Sequence, residues 1–129
     1  MRVLTAAASY FNTLAVAEFG GRQGKERQTG LVEQVIAAAF QTFASTDPHP
    51  ALFEKAAMLL RGITAGHPFQ DGNKRTGFLV AACYLEQVGM PLPEEFSVPA
   101  AEALCLQVSS GTLREVEEIT RQLMLLWRR

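Results

Sequence analysis

Nine consecutive residues near the middle of the chain, 67–75, carry side chains that could act together on a phosphate ester. The run reads His-Pro-Phe-Gln-Asp-Gly-Asn-Lys-Arg. An imidazole ordinarily titrates near neutral pH, so His67 is a candidate general base. Asp71 offers a carboxylate, a hard oxygen ligand that suits Mg²⁺ shared with phosphates. These residue types at this short spacing predict phosphoryl or nucleotidyl transfer, which depends on positioning and charge stabilisation.

The second half of this segment is suited to hold the anion. A turn into a helix N-terminus presents unpaired N–H groups and a partial positive charge. Gly72 would let a phosphate approach the backbone closely, and Asn73 adds amide donors. Lys74 and Arg75 would each oppose the dipole of a helix that begins here by about 0.3–1 kcal/mol. That arrangement makes sense if an anion lies between them and the helix end.

Each of these residues also has an ordinary structural interpretation. Asp71 could be only an N-cap, and Gly72 and Asn73 only turn residues. Lys74 and Arg75 could be solvated surface charges. Taken singly, each residue favours the structural interpretation. The combination of a base, a metal ligand, an anion hole and two cations within nine residues favours catalysis.

Helices are the elements that must position this segment. Apolar residues recur at spacings of three and four along most of the chain, and strand signals are nearly absent. Residues 47–50, Asp-Pro-His-Pro, are interpreted as a rigid connector. The pattern predicts an all-α fold, a compact bundle of about six helices around a central buried helix. The predicted helices cover 4–18, 29–43, 51–64, 72–89, 97 or 99 to 108, and 111 to the C-terminus, with 72–89 at the centre because it is apolar almost all round.

Composition limits the classes of function. The 129 residues suit one domain, 1–129, which would bury roughly two-thirds of its unfolded surface. A net charge of −1 disfavours nucleic acid as a partner. Cys83 and Cys105 are too isolated for a zinc site and fit a reducing compartment. Without a signal-like N-terminus or an apolar run of membrane-spanning length, we expect a cytoplasmic protein with no membrane partner.

The segment 67–76 resembles the signature of the Fic/Doc family, in particular its death-on-curing (Doc) branch. The similarity extends to residues 19–21, 52–57 and 85–89, so it covers most of the chain. The resemblance implies a small all-α bundle, as the periodicity does independently. It also implies an enzyme that uses ATP with Mg²⁺ to modify a hydroxyl of a target protein.

The resemblance assigns a role to each matching residue. His67 would deprotonate the hydroxyl of the target, and Asp71 would hold Mg²⁺ on the nucleotide phosphates. Gly72 and Asn73 would form the anion hole. The pair Lys74-Arg75 would bind phosphates.

Two departures from the longer Fic pattern bear on the reaction. Lys74 stands where that pattern has glycine, and Phe78 stands where it has a second arginine that orients ATP for AMP transfer. The Doc branch shares both departures and resembles a kinase whose known target class is a translation elongation factor, modified at a threonine. We therefore expect phosphotransfer, with AMP transfer and a non-catalytic binding module as alternatives. The resemblance also implies a small antitoxin that inhibits in trans.

Overall fold

The computed structural model of the chain describes residues 6–7, 10, 30–41, 48–66 and 73–128, without the side chains of Pro48, His49 and Lys74. The described residues form helices and no strand, which confirms the all-α fold class. Ala6, Ala7 and Tyr10 are helical, in agreement with the first predicted helix. The remaining described helices are α1 (Leu31–Gln41), α2 (Pro48–Gly66), α3 (Asn73–Gln87), α4 (Val98–Ser110) and α5 (Val116–Leu126).

Among these five helices, α2 occupies the centre. It contacts α1, α3, α4 and α5, whereas α3 contacts only α2 and α4. The sequence pattern placed α3 at the centre, but α3 leaves Leu79 39% exposed on a face that it shares with exposed Arg75 and Glu86. The central role of α2 was hidden because charged residues interrupt its apolar pattern. Its buried apolar residues are Phe53, Ala56, Ala57, Leu59, Leu60 and Ile63.

The first turn of α2 differs from the prediction. Residues 47–50 were interpreted as a connector, yet the helix already includes Pro48, His49 and Pro50. The first N–H groups of a helix have no partner within the helix, so proline costs no hydrogen bond there. The fixed φ of proline also suits a helix start. The prolines therefore begin α2 and do not precede it.

Glycine ends α3 as the sequence predicts. Gly89 adopts a φ of 90°, a left-handed conformation that favours glycine. Its N–H donates to the Glu86 carbonyl at 3.1 Å, and the N–H of Met90 donates to the Leu85 carbonyl at 2.7 Å. This pair of bonds is the Schellman motif, which satisfies carbonyls at the helix end.

The ends of α4 were predicted with mixed success. Ser97, one of the two predicted starting points, is the N-cap, because its Oγ accepts a hydrogen bond from the Ala100 N–H at 3.2 Å. Gly111 was predicted to open the last helix, and that prediction was wrong. With φ at 81°, Gly111 caps the end of α4, so α5 begins only at Val116.

An indole anchors the end of α5 to the rest of the core. Trp127, 6% exposed, packs edge-on against Phe53 of α2, with ring centroids 6.2 Å apart. Its Nε1–H donates to the Met90 carbonyl, just after α3, at 2.9 Å. A buried indole N–H needs such an acceptor. Trp127 thus ties together α2, α5 and the segment after α3. None of the described helices is long and apolar enough to cross a membrane.

Candidate functional site

The described structure places the end of α2 beside the start of α3. A Cβ built on Gly77 would lie 3.2 Å from the Leu60 carbonyl oxygen and would also meet Thr64. Farther along the two helices, the Phe40 carbonyl of α1 accepts a hydrogen bond from Nζ of Lys55 in α2. The Phe40 ring also packs against that of Tyr84 in α3, with ring centroids 5.6 Å apart. Early residues of α3 therefore lie against late residues of α2, and the two helices are antiparallel. Gly66 and Asn73, which flank segment 67–72, belong to the same end of the bundle.

The predicted site residues fall into two groups. His67, Asp71 and Gly72 lie outside the described residues. Asn73 and Arg75 are the first and third residues of α3, and the backbone of Lys74 lies between them. The helix thus starts within one residue of the predicted position near Gly72.

Asn73 is polar and yet only 8% exposed. An amide is normally left in water unless hydrogen bonds replace those it loses on burial. Burial at the first position of α3 fixes this side chain at the N-terminal end of the helix, where the backbone N–H groups are also directed. The position suits the anion-hole role predicted for Asn73.

The first turn of α3 is cationic. It contains no acidic residue, although acidic residues are the ones that the helix dipole favours there. The sequence instead supplies Lys74 and Arg75, and the Arg75 side chain is exposed. The positive end of the helix dipole and two cationic residues thus coincide at one end of α3. Electrostatics at this end favour an anionic ligand such as a phosphate.

Two threonines are fully buried just inside the same end of the bundle. Thr76 of α3 and Thr64 of α2 both have an exposure of 0%. Oγ1 of Thr64 has no hydrogen-bond partner among the residues that the structure describes, and it faces Gly77 across the helix contact. Thr64 was not among the predicted site residues, although a threonine inside an apolar helical stretch, three residues before His67, was a readable signal.

Phe78 points into an aromatic cluster. Its ring stacks near that of Phe96, with centroids 6.3 Å apart and an interplanar angle of 23°. It also lies 6.2 Å from the Trp127 ring. The side chain that replaces the second arginine of the longer Fic pattern is therefore part of the apolar packing between α3, α5 and the segment before α4.

Neither cysteine forms a disulfide. Cys105 is buried and Cys83 is partly buried. Burial raises the pKa of the Cys83 thiol, and the nearby charge of Glu86 raises it further. A thiol with a raised pKa is a poor nucleophile, because the thiolate is the reactive form. The described surroundings support the interpretation of the cysteines as small apolar residues.

Comparison with known proteins identifies the family. The model of the Fic/DOC family matches residues 4–85, which include α1, α2 and most of α3 together with the segment 67–75. The chain belongs to the Fic/DOC family. It is similar to a curated protein named toxin Doc from Mycolicibacterium smegmatis (strain ATCC 700084 / mc(2)155). The two are 37% identical over 92 residues, which cover 71% of this chain and 70% of that relative.

Proposed function

We propose that this chain is a Doc-type toxin that transfers the terminal phosphate of ATP to a hydroxyl of a target protein. In this proposal His67 takes the proton of the hydroxyl, and Asp71 holds Mg²⁺ on the phosphates. Gly72, Asn73, Lys74 and Arg75 hold the phosphates at the start of α3. The observation that carries the proposal is the position of Asn73: buried, at the first residue of a helix whose first turn is cationic and lacks acidic residues.

The physical support comes from what phosphoryl transfer needs. The transferred group spreads negative charge over its oxygens, and fixed donors and cations stabilise that charge without rearranging during the reaction. The N-terminus of α3 combines N–H groups, the positive end of the dipole and an exposed Arg75. Mg²⁺ would supply further charge neutralisation when it is bound with the nucleotide. These features support binding of a phosphate-bearing ligand, which the proposal takes to be a nucleoside triphosphate.

Phe78 favours transfer of phosphate over transfer of AMP. In the longer Fic pattern an arginine at this position orients ATP for AMP transfer, as the resemblance implies. Here the position carries an apolar ring packed between Phe96 and Trp127. An apolar ring provides no charge for phosphates, and its packing turns it towards the core. AMP transfer would have to proceed without that contact.

Two protein partners follow from the same proposal. The first is the target, which we propose to be a translation elongation factor modified at a threonine, as the Doc resemblance implies. The second is a small antitoxin that binds the toxin and blocks it in trans. The name of the relative, toxin Doc, supports the toxin class. Expression of this chain without an antitoxin is therefore expected to arrest growth.

The decisive experiment follows the label from ATP into protein. The purified chain is incubated with a bacterial extract, Mg²⁺ and ATP labelled at either the terminal or the inner phosphate. We expect the terminal label alone to appear on one major protein, and expect EDTA to abolish its transfer. His67→Ala should remove the labelled band. His49→Ala is the matched control, because it removes the only other histidine, in the first turn of α2.

Other results would contradict the proposal in distinct ways. Retention of the inner label would establish AMP transfer in place of phosphotransfer. Growth arrest that persists in His67→Ala, with no label of either kind, would favour a non-catalytic binding module. Equal losses in His67→Ala and His49→Ala, with both variants folded by circular dichroism, would remove the special role of His67.

A further inference from the structure

Two arginines line a cavity that is separate from the first turn of α3. It has a volume of about 350 Å³ and lies between the last turns of α2, the C-terminal end of α4 and the turn that leads to α5. Arg61 and Arg114 supply its charge, and Ser109 and Ser110 supply hydroxyls. The rest of the lining is Ala65, Val108, Gly111 and Leu113.

The two guanidinium groups are fixed by backbone carbonyls. Nη1 of Arg61 donates to the carbonyl oxygen of Arg114 at 3.3 Å. Nε of Arg114 donates to the carbonyl oxygen of Gly111 at 2.7 Å. Each guanidinium has five N–H donors in a planar fork, so most of them remain for another acceptor. The contacts hold the side chains in place and leave donors available.

No carboxylate of the described residues neutralises this pair. Glu115 follows Arg114 directly in the chain, yet neither Arg61 nor Arg114 forms an ion pair within the described part of the molecule. The nearby C-terminus of α4 contributes only about half a negative charge, against two full positive charges. Arg121 of α5, in contrast, is paired with Glu118. The cavity is therefore a local positive site in a chain whose net charge is −1.

We propose that this cavity is a docking subsite for an acidic side chain of a partner protein. The forks of Arg61 and Arg114 match the two oxygens of a carboxylate. Ser109 adds a hydroxyl to the lining, whereas the Ser110 hydroxyl already donates to the Gln107 carbonyl. Both arginines are exposed, so a free small anion would gain little from them in water. A carboxylate carried on a protein surface gains more, because the surrounding contacts exclude water and restrict its motion.

The position of the subsite connects it to the candidate active site. Ala65 lines the cavity and is separated from His67 by a single residue, Gly66, at which α2 ends. A protein held by Arg61 and Arg114 would therefore be held at the end of α2 from which segment 67–72 continues. Binding at this cavity does not require His67 or catalysis, so it can be tested even if the proposed phosphotransfer is wrong.

The test uses a peptide as the probe. Acetyl-tetraglutamate amide is titrated into the full-length chain while the arginine Nε–H resonances are followed by NMR. Acetyl-tetraglutamine amide and inorganic phosphate at equal ionic strength are titrated in parallel. We expect saturable shifts of Arg61 and Arg114 with tetraglutamate and no comparable shifts with tetraglutamine. Arg61→Gln and Arg114→Gln should each weaken binding by roughly threefold to fivefold, the range that an exposed ion pair contributes.

Arg121→Gln provides the matched control, because that arginine already has a carboxylate partner and lies outside the cavity. It should change tetraglutamate binding by less than about twofold. Equal weakening in Arg121→Gln would mean that the peptide senses only overall charge, and would overturn the proposal. Phosphate shifts that saturate at lower concentration than those of tetraglutamate would identify a small-anion site instead. If the Arg61 and Arg114 resonances do not shift at the highest soluble concentration of the peptide, the proposed subsite is ruled out.

Discussion

Gly77 of α3 lies directly against Thr64 of α2, close enough that a Cβ at position 77 would collide with Oγ1 of the threonine. The same Cβ would lie 3.2 Å from the carbonyl oxygen of Leu60. The missing side chain at Gly77 therefore lets two antiparallel helices approach closely, near the ends that flank segment 67–72. This contact sets the distance between the two helices that position the candidate site.

Gly77→Ala should destabilise the protein in spite of the better helix propensity of alanine. Alanine gains about 1 kcal/mol over glycine inside a helix, whereas an extra group in a tight core contact typically costs about 1–3 kcal/mol. The backbone carbonyl of Leu60 cannot move without shifting α2. We expect a net loss in the free energy of unfolding, measured by urea denaturation.

Gly62→Ala is the control for this substitution. A Cβ on Gly62 would lie 2.7 Å from Cγ1 of Val35, a methyl group of a half-buried side chain on α1. That methyl can move by rotation about χ1, at a cost of about 0.5–1.5 kcal/mol for an off-rotamer angle. Gly62→Ala should therefore cost less than Gly77→Ala. The reverse order would show that the α2–α3 contact is not the tighter of the two.

The unpartnered hydroxyl of Thr64 leads to a prediction of opposite sign. Thr64→Val keeps the shape of the side chain and removes a buried polar atom that has no hydrogen-bond partner within the described part of the chain. Since an unsatisfied buried group costs about 1–3 kcal/mol, we expect Thr64→Val to raise the free energy of unfolding by up to that amount. The measurement is again urea denaturation.

Thr120→Val tests whether the missing hydrogen bond is the reason. Thr120 is also buried, at 6% exposure, but its Oγ1 donates to the Val116 carbonyl at 2.7 Å. Removing that satisfied hydroxyl should lower stability or leave it unchanged. If Thr64→Val were the more destabilising of the two, the hydroxyl of Thr64 would have a partner in solution, and the explanation would be wrong.

The two threonines also show what sequence patterns can and cannot predict. Helical periodicity depends on residue types along one helix, so it correctly predicted the fold class and the start of α3. Thr120 finds its acceptor, the Val116 carbonyl, within its own helix, whereas the surroundings of Thr64 depend on which residue of α3 faces it. That information is absent from periodicity. The central position of α2 escaped prediction for the same reason, since it reflects contacts with four other helices.

Helix ends were easier to predict from the sequence than contacts between helices. Gly89 was correctly predicted as a helix cap, and Ser97 was one of two predicted starting points of α4, because such signals depend on a few adjacent residues. Gly111 was assigned to the wrong side of its turn, since glycine is compatible with both a helix end and a loop. Arg61 and Arg114, separated by more than fifty residues in the sequence, could not be recognised as a pair before the fold brought them together.

A lysine from α2 supplies the positive charge that α1 lacks at its C-terminus. The last turn of α1 contains no basic residue, and Nζ of Lys55 donates to the carbonyls of Ala39 and Phe40 at 2.9 and 3.4 Å. Lys55→Met should cost about 1 kcal/mol, because the ammonium is only half-buried and water can partly replace it. Hydrogen exchange should accelerate mainly in the amides of α1. Similar acceleration in α5, which has no contact with α1, would point to global destabilisation instead.

Arg75 allows the proposed phosphate site to be separated from ordinary surface charge. A cation in the first turn of α3 opposes the helix dipole, so Arg75→Gln removes a charge that the helix itself does not favour. The same substitution should reduce the rise in Tm produced by ATP with Mg²⁺, because a ligand that binds more weakly stabilises the folded state less at the same concentration. Arg128→Gln is the control, since that exposed arginine follows the C-terminus of α5 and should leave the ATP-induced rise intact. A rise in Tm that is equal in wild type, Arg75→Gln and Arg128→Gln would exclude Arg75 from nucleotide binding.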